Sequence, residues 1–281
     1  MSQSVTTSGG STPSQFTGGG SQASFTNFLN GSTTYTVFSG SGVTTVTGPV
    51  VLASANTAVT LSGASAVADT SAGGNAITTQ TATSVYAAPN DTVSSAAATT
   101  LLGANSGVTS FSLTGSGSSV TGGSGGFVGT ASGANSTLVG GTGTSIYHVT
   151  GANSLAVAGS AGITGIDESK STGAETIATN PLGNSGTLVA ILGTGADSVI
   201  GGGGASTITA GSGHDAFLFV KGHAGGSEVI IGFTASDNFG FAGYGYTAAN
   251  LPAEHVGPIG DVITLSDGTT ITLAGFDHKL F

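Results

Sequence analysis

The residues best placed to do chemistry are two aspartates, Asp197 and Asp215, in three consecutive nine-residue segments. These read LGTGADSVI (192–200), GGGGASTIT (201–209) and AGSGHDAFL (210–218). Each has glycine at its second and fourth positions, Asp or Ser at its sixth and an apolar residue at its eighth. The glycines, among them Gly193, Gly195, Gly211 and Gly213, suit a tight turn that needs positive φ and no Cβ. The eighth residues, Val199, Ile208 and Phe217, each mark a short strand with one side chain turned inward. Turn plus strand is half a coil, so two segments close one coil of a parallel solenoid and place Asp197 and Asp215 one above the other. Stacked carboxylates and turn carbonyls can supply the hard oxygen ligands that calcium takes six to eight at a time. Ser206 holds the equivalent place on the opposite side, and the next segment puts Ala224 there. One principal calcium site is expected, not a ladder of them. The metal-free alternative is a glycine-rich turn stack carrying two surface aspartates.

In these segments the chain resembles the RTX, or haemolysin-type calcium-binding, repeat family, whose pattern is G-G-x-G-x-D-x-U-x. The resemblance implies a calcium-loaded turn at Asp197 and Asp215 with Gly193, Gly195, Gly211 and Gly213. It also implies export by a type I secretion machinery that reads an uncleaved C-terminal signal. EVIIGFTASDNFGF (228–241) resembles the piece that closes such arrays, and GDVITLSDGTTITLAGFDHKLF (260–281) resembles the secretion module of type I substrates. The likeness covers roughly 192–281, and for 25–191 only periodicity speaks.

Stepping outward from the aspartates, short strand-like runs recur every eight to twelve residues: TYTVF (34–38), VTTV (43–46), PVVLA (49–53), AVTLS (58–62), TSVYA (83–87), TTLLG (99–103) and VTSFSL (108–113). Turn residues separate them, and no stretch has the 3.6-residue apolar period of a helix. Taken alone, that spacing fits a solenoid or an antiparallel sandwich. An internal repeat decides between them. GSGSSVTGGSG (115–125), GANSTLVGGTG (133–143) and GANSLAVAGSA (151–161) share an 18-residue offset, one coil. Their turns lack acids and should be held by backbone, hydroxyl and Asn hydrogen bonds. Counted in nines, this region is out of phase with 192–218, and the slip is expected in GIDESKSTGAE (165–175), read as an inserted, solvated loop. The expected fold is therefore all-β: a parallel β-solenoid of about 18 residues per coil with a C-terminal β cap. A flexible arm is expected over 1–24, the solenoid over 25–225, and cap plus secretion module over 226–281.

Composition narrows function. The 281 residues include 51 glycines, no cysteine, three lysines and no arginine, and the formal net charge is −10. No basic patch is available to neutralise phosphate, which excludes a nucleic-acid binder. No window approaches the roughly 18 apolar residues of a membrane span. The start has neither a basic nor an apolar signal region; a secreted or cell-surface location follows from the RTX resemblance instead. The Gly122–Gly126 match to G-x-S-x-G lacks the strand and helix that a nucleophile elbow needs, and no spacing singles out a catalytic pair. A non-enzymatic, self-assembling surface or matrix protein is expected, adding head to tail through open strand edges. The alternative is a monomeric calcium-dependent adhesin or binding module for polysaccharide or ice.

Overall fold

The computed structural model describes residues 4–9, 34–179, 186–222 and 226–281. Among these every regular element is a strand, and no helix is long and apolar enough to cross a membrane. The chain divides into two units, Met1–Thr137 and Leu138–Phe281. Each is built of parallel stacked coils of about 18 residues, as expected of a β-solenoid.

In the first unit, one wall stacks Val59, Ile77, Val93 and Phe111 in parallel register. The facing wall stacks Val67, Val85, Leu101 and Val120, and all of these side chains are buried. Strand alternation sends the residues between them outward. Thr60, Thr78, Ser94, Ser112 and Thr130 thus form a ladder of hydroxyls, one rung per coil at the ~4.8 Å spacing of neighbouring strands. The only charged residues in 34–137 are Asp69 and Asp91, both 0% exposed. Each carboxylate turns in to serve the backbone. Asp91 accepts N–H bonds from Asn75 (2.9 Å) and Ala88 (2.8 Å), and Asp69 accepts one from Ser71 (2.8 Å). The exterior of this unit therefore carries no charge among its described residues.

Serine hydroxyls hold the repeat's corners, as expected, in one turn of this unit and one of the second. In the GANS turns at 133–136 and, in the second unit, 151–154, Asn135 and Asn153 adopt φ of 58°, a left-handed conformation that Asn tolerates better than most residues. The hydroxyls of Ser136 and Ser154 donate to the carbonyls of Gly133 and Gly151 at 2.7 and 2.8 Å. Ser4–Gly9, inside the expected flexible arm, is a strand paired antiparallel with Thr34–Ser39; residues 1–3 and 10–24 of that arm lie outside the described residues.

In the second unit, Tyr147, Ile166, Ala190, Ile208, Ile230 and Leu273 form one inward column. Ala156, Ile177, Val199, Phe217 and Phe239 form the other. Parallel stacking continues through Asn238–Ala242, beyond residue 225 where the cap was expected to start. The antiparallel part comprises Ala253–Gly257, Gly260–Thr264 and Thr270–Ala274. The hairpin expected at Ser266-Asp267-Gly268 forms, with Thr264 opposite Thr270 and Gly268 at φ 90°. Its last strand also lies parallel to Ser227–Ile231, which seats the cap on a coil.

A close approach tests the first unit's packing. A β-carbon at Gly129 would collide with the ring and carbonyl of Phe111 in the coil before it. Gly129→Val should therefore cost about 1–3 kcal/mol, the usual cost of overpacking a core. Urea denaturation should show a lower midpoint, while Thr130→Val, on the outward ladder, should stay within about 0.5 kcal/mol of the parent.

Candidate metal centre

The two aspartates expected to bind metal are stacked as the register predicts, but they point inward and bond to backbone. Asp197 and Asp215 are 1% and 0% exposed, not surface residues. One oxygen of Asp197 accepts the N–H of Gly193 at 3.1 Å, and the other the N–H of Glu175 at 2.9 Å. Asp215 repeats the pattern one coil on, with Gly211 at 2.9 Å and Asp197 at 3.1 Å. Asp237 continues it with Thr234 at 2.8 Å and Asp215 at 3.0 Å. Each carboxylate thus closes its own turn and fastens the equivalent residue of the preceding coil. These N–H groups would otherwise be unpaired donors at the turns.

The glycines of the pattern have a different reason from the one expected. Gly193, Gly195, Gly211 and Gly213 are not in the positive-φ region, whereas Gly202 and Gly204 are, at 138° and 79°. What the four require is closeness. A β-carbon at Gly195 or Gly213 would strike the carbonyl of Gly173 or Gly195 in the coil before, and one at Gly193 or Gly211 would meet the carbonyl of Ser171 or Gly193.

The loop after Ile163–Asp167 corrects the expectation of a solvated insertion. Asp167 and Lys170 are on the outside, but Glu168, Ser171 and Glu175 are 1%, 0% and 2% exposed. Glu168 is drawn in because its N–H donates to the carbonyl of Ile191 at 2.8 Å and its carbonyl accepts from Ser171 N at 2.7 Å. The Ser171 hydroxyl donates to Glu175 Oε1 at 2.8 Å. Carboxylate oxygens of Glu168, Glu175 and Asp197 lie within 4.8 Å of one another. Asp215 is not one of the three, though it lies near enough for its charge to act on Glu168. Both oxygens of Glu168 and the Oε2 of Glu175 are buried without a hydrogen-bond partner among the described residues.

Such crowding is electrostatically costly, because burial and like charge both disfavour the ionised form. Burial first, then the charges of Asp197, Glu175, Asp215 and Asp167, push Glu168 up to about 9. Burial, only partly offset by the Ser171 hydroxyl, pushes Glu175 up to about 7. Asp215 is raised by burial against the N–H bonds it accepts. Elsewhere burial raises Asp91 and Glu228 to about 7, with Asp69 adding to the first.

Counting in nines could not find Glu168 and Glu175. Leu155 pairs with Thr176 and Thr176 with Ser198, so both coil steps exceed 18 residues. The slip is therefore spread over two places, of which 165–175 is one. Glu175 occupies in its own coil the position Asp197 occupies in the next, a match visible only when the extra residues are allowed for.

No protein-family model, curated protein or solved structure matches the chain.

The raised groups give a signed pH dependence. A carboxyl whose folded pKa lies above its unfolded value near 4.3 contributes stability fully only below that value. The contribution is lost as pH rises through the folded pKa. For Glu168 the window runs from about 4.3 to about 9, and Glu175 loses its share by about 7. In chelator-treated protein the thermal midpoint should fall steadily from pH 5 to pH 9. Glu168→Gln should flatten the upper part of that slope in a melting series.

Proposed function

We propose that this is a structural protein of a bacterial surface or extracellular matrix, exported by a type I system, whose copies associate through their solenoid walls. The supporting observation is the exterior of the first unit. From residue 34 to 137 the only Asp, Glu, Lys, Arg or His residues are Asp69 and Asp91, and both are buried. Charged side chains are the ordinary device by which β proteins keep edges and flat faces apart, and here the described surface has none. Hydroxyl, methyl and glycine surface of this kind meets a second copy without electrostatic opposition. The export part of the reading rests on the likeness of 228–241 and 260–281 to the closing and secretion segments of type I substrates. Head-to-tail addition at the first unit's edge has a structural requirement. Ser4–Gly9 must leave Thr34–Ser39 of its own chain and pair with a neighbour's.

A second reading is favoured by the ladder Thr60, Thr78, Ser94, Ser112 and Thr130. A regular row of hydroxyls suits an uncharged, ordered ligand such as polysaccharide or ice, held by a monomer.

Charge placed on the wall separates the two. The parent chain should sediment and scatter light as assemblies, and Thr92→Lys/Ser112→Lys, at two exposed positions, should return it to monomers with an unchanged melting midpoint. A parent that stays monomeric at high concentration and is pulled down by an insoluble polysaccharide or retained in ice would replace assembly with the binding reading.

A further inference from the structure

Three carboxylates within 4.8 Å of one another are an unstable arrangement in a buried place unless something positive sits among them. Asp197 has partners for both oxygens, as do Asp215 and Asp237, and hydrogen bonds alone account for that column. Glu168 is different. It is 1% exposed, and neither of its oxygens has a hydrogen-bond partner among the described residues. Glu175 spends one oxygen on Ser171 and leaves the other bare. Leaving a buried polar atom unpaired costs about 1–3 kcal/mol, and more when it is charged. Nothing in the turn's own geometry calls for an acid at 168, since its backbone makes the turn's hydrogen bonds.

We infer that Glu168, Glu175 and Asp197 hold a divalent cation, and that the ion is calcium. The donors are all oxygen, the hard-ligand set that calcium prefers, whereas zinc favours nitrogen and sulfur. No two of the donor atoms are further apart than 4.8 Å, the span across a shell of ligands about 2.4 Å from a central ion. Magnesium keeps a tighter shell and most of its water and is rarely held by all-protein cages. Each Asp197 oxygen that accepts an N–H bond has a second lone pair for the ion. The site lies beside, not within, the stacked pair Asp197–Asp215 read from the nonapeptides. It takes two of its three ligands from the loop that breaks the 18-residue spacing. The ion would fasten that longer loop to the turn of the following coil, replacing mutual repulsion with a shared positive charge.

The inference does not depend on self-association and is tested on dilute full-length chain stripped with chelator. Titration calorimetry with calcium chloride should show binding near one ion per chain, and 1 mM calcium should raise the melting midpoint by about 5 °C or more. Magnesium at the same concentration should do much less. Glu168→Gln and Glu175→Gln should each weaken calcium binding at least about tenfold, while Asp237→Asn, outside the cluster, should leave it unchanged. Crystals of the unmodified chain soaked in manganese should show anomalous density between the three carboxylates, a readout that survives if a variant fails to fold. No binding, equal binding by both glutamine variants, or density placed only between Asp197 and Asp215 would overturn the inference.

Discussion

The structure depends on how the turns of stacked coils satisfy their backbone. In the walls, each strand pairs with the strands before and after it, so peptide groups are matched by repetition. At the corners the chain bends and the ladder is interrupted. There a short polar side chain turns inward and does the work of a missing strand. Asp197, Asp215 and Asp237 do this in the second unit, Asp91 and Asn75 in the first, and Ser136 and Ser154 at the GANS corners. Because each acid also accepts an N–H from the preceding coil, one side chain sets both the bend and the stacking.

That arrangement explains why so much of the composition is glycine, serine and threonine. Coils stacked at strand spacing leave no room at the corners for side chains that point along the stack, and a β-carbon at Gly195 or Gly213 would strike the carbonyl one coil away. The bulkiest buried side chains, among them Tyr147 and Phe217, lie in the inward columns. Even there a ring needs a gap in the adjacent coil: Gly129 supplies it for Phe111 and Gly103 for Phe127.

Much of this was legible beforehand. The nonapeptides between 192 and 218 announce a turn-strand period, and the stacking of Asp197 on Asp215 follows from it. The GANS repeats announce metal-free corners, and Ser266-Asp267-Gly268 announces the terminal hairpin. What a fixed period cannot carry is a change of period. Glu175 belongs to the aspartate column, but the extra residues around it hide the match, and Glu168 has no periodic signature. Nor does spacing tell which way a carboxylate faces. Charge in the loop suggested solvent, yet the backbone bonds of Glu168 to Ile191 and Ser171 turn it inward.

The neutral exterior of the first unit has a consequence for how it meets its medium. A surface with fixed charges is held in solution by a counter-ion atmosphere, and dilute salt screens its attractions and repulsions over a Debye length of about 10 Å at 0.1 M. The described surface of 34–137 has no such charges to screen. For this unit there is no salting-in regime. Ions act on it only through exclusion from its hydroxyl and methyl groups, as sulfate and phosphate do. Its solubility should then follow the lyotropic rank of the anion and be nearly indifferent to ionic strength, in fresh water as in brine.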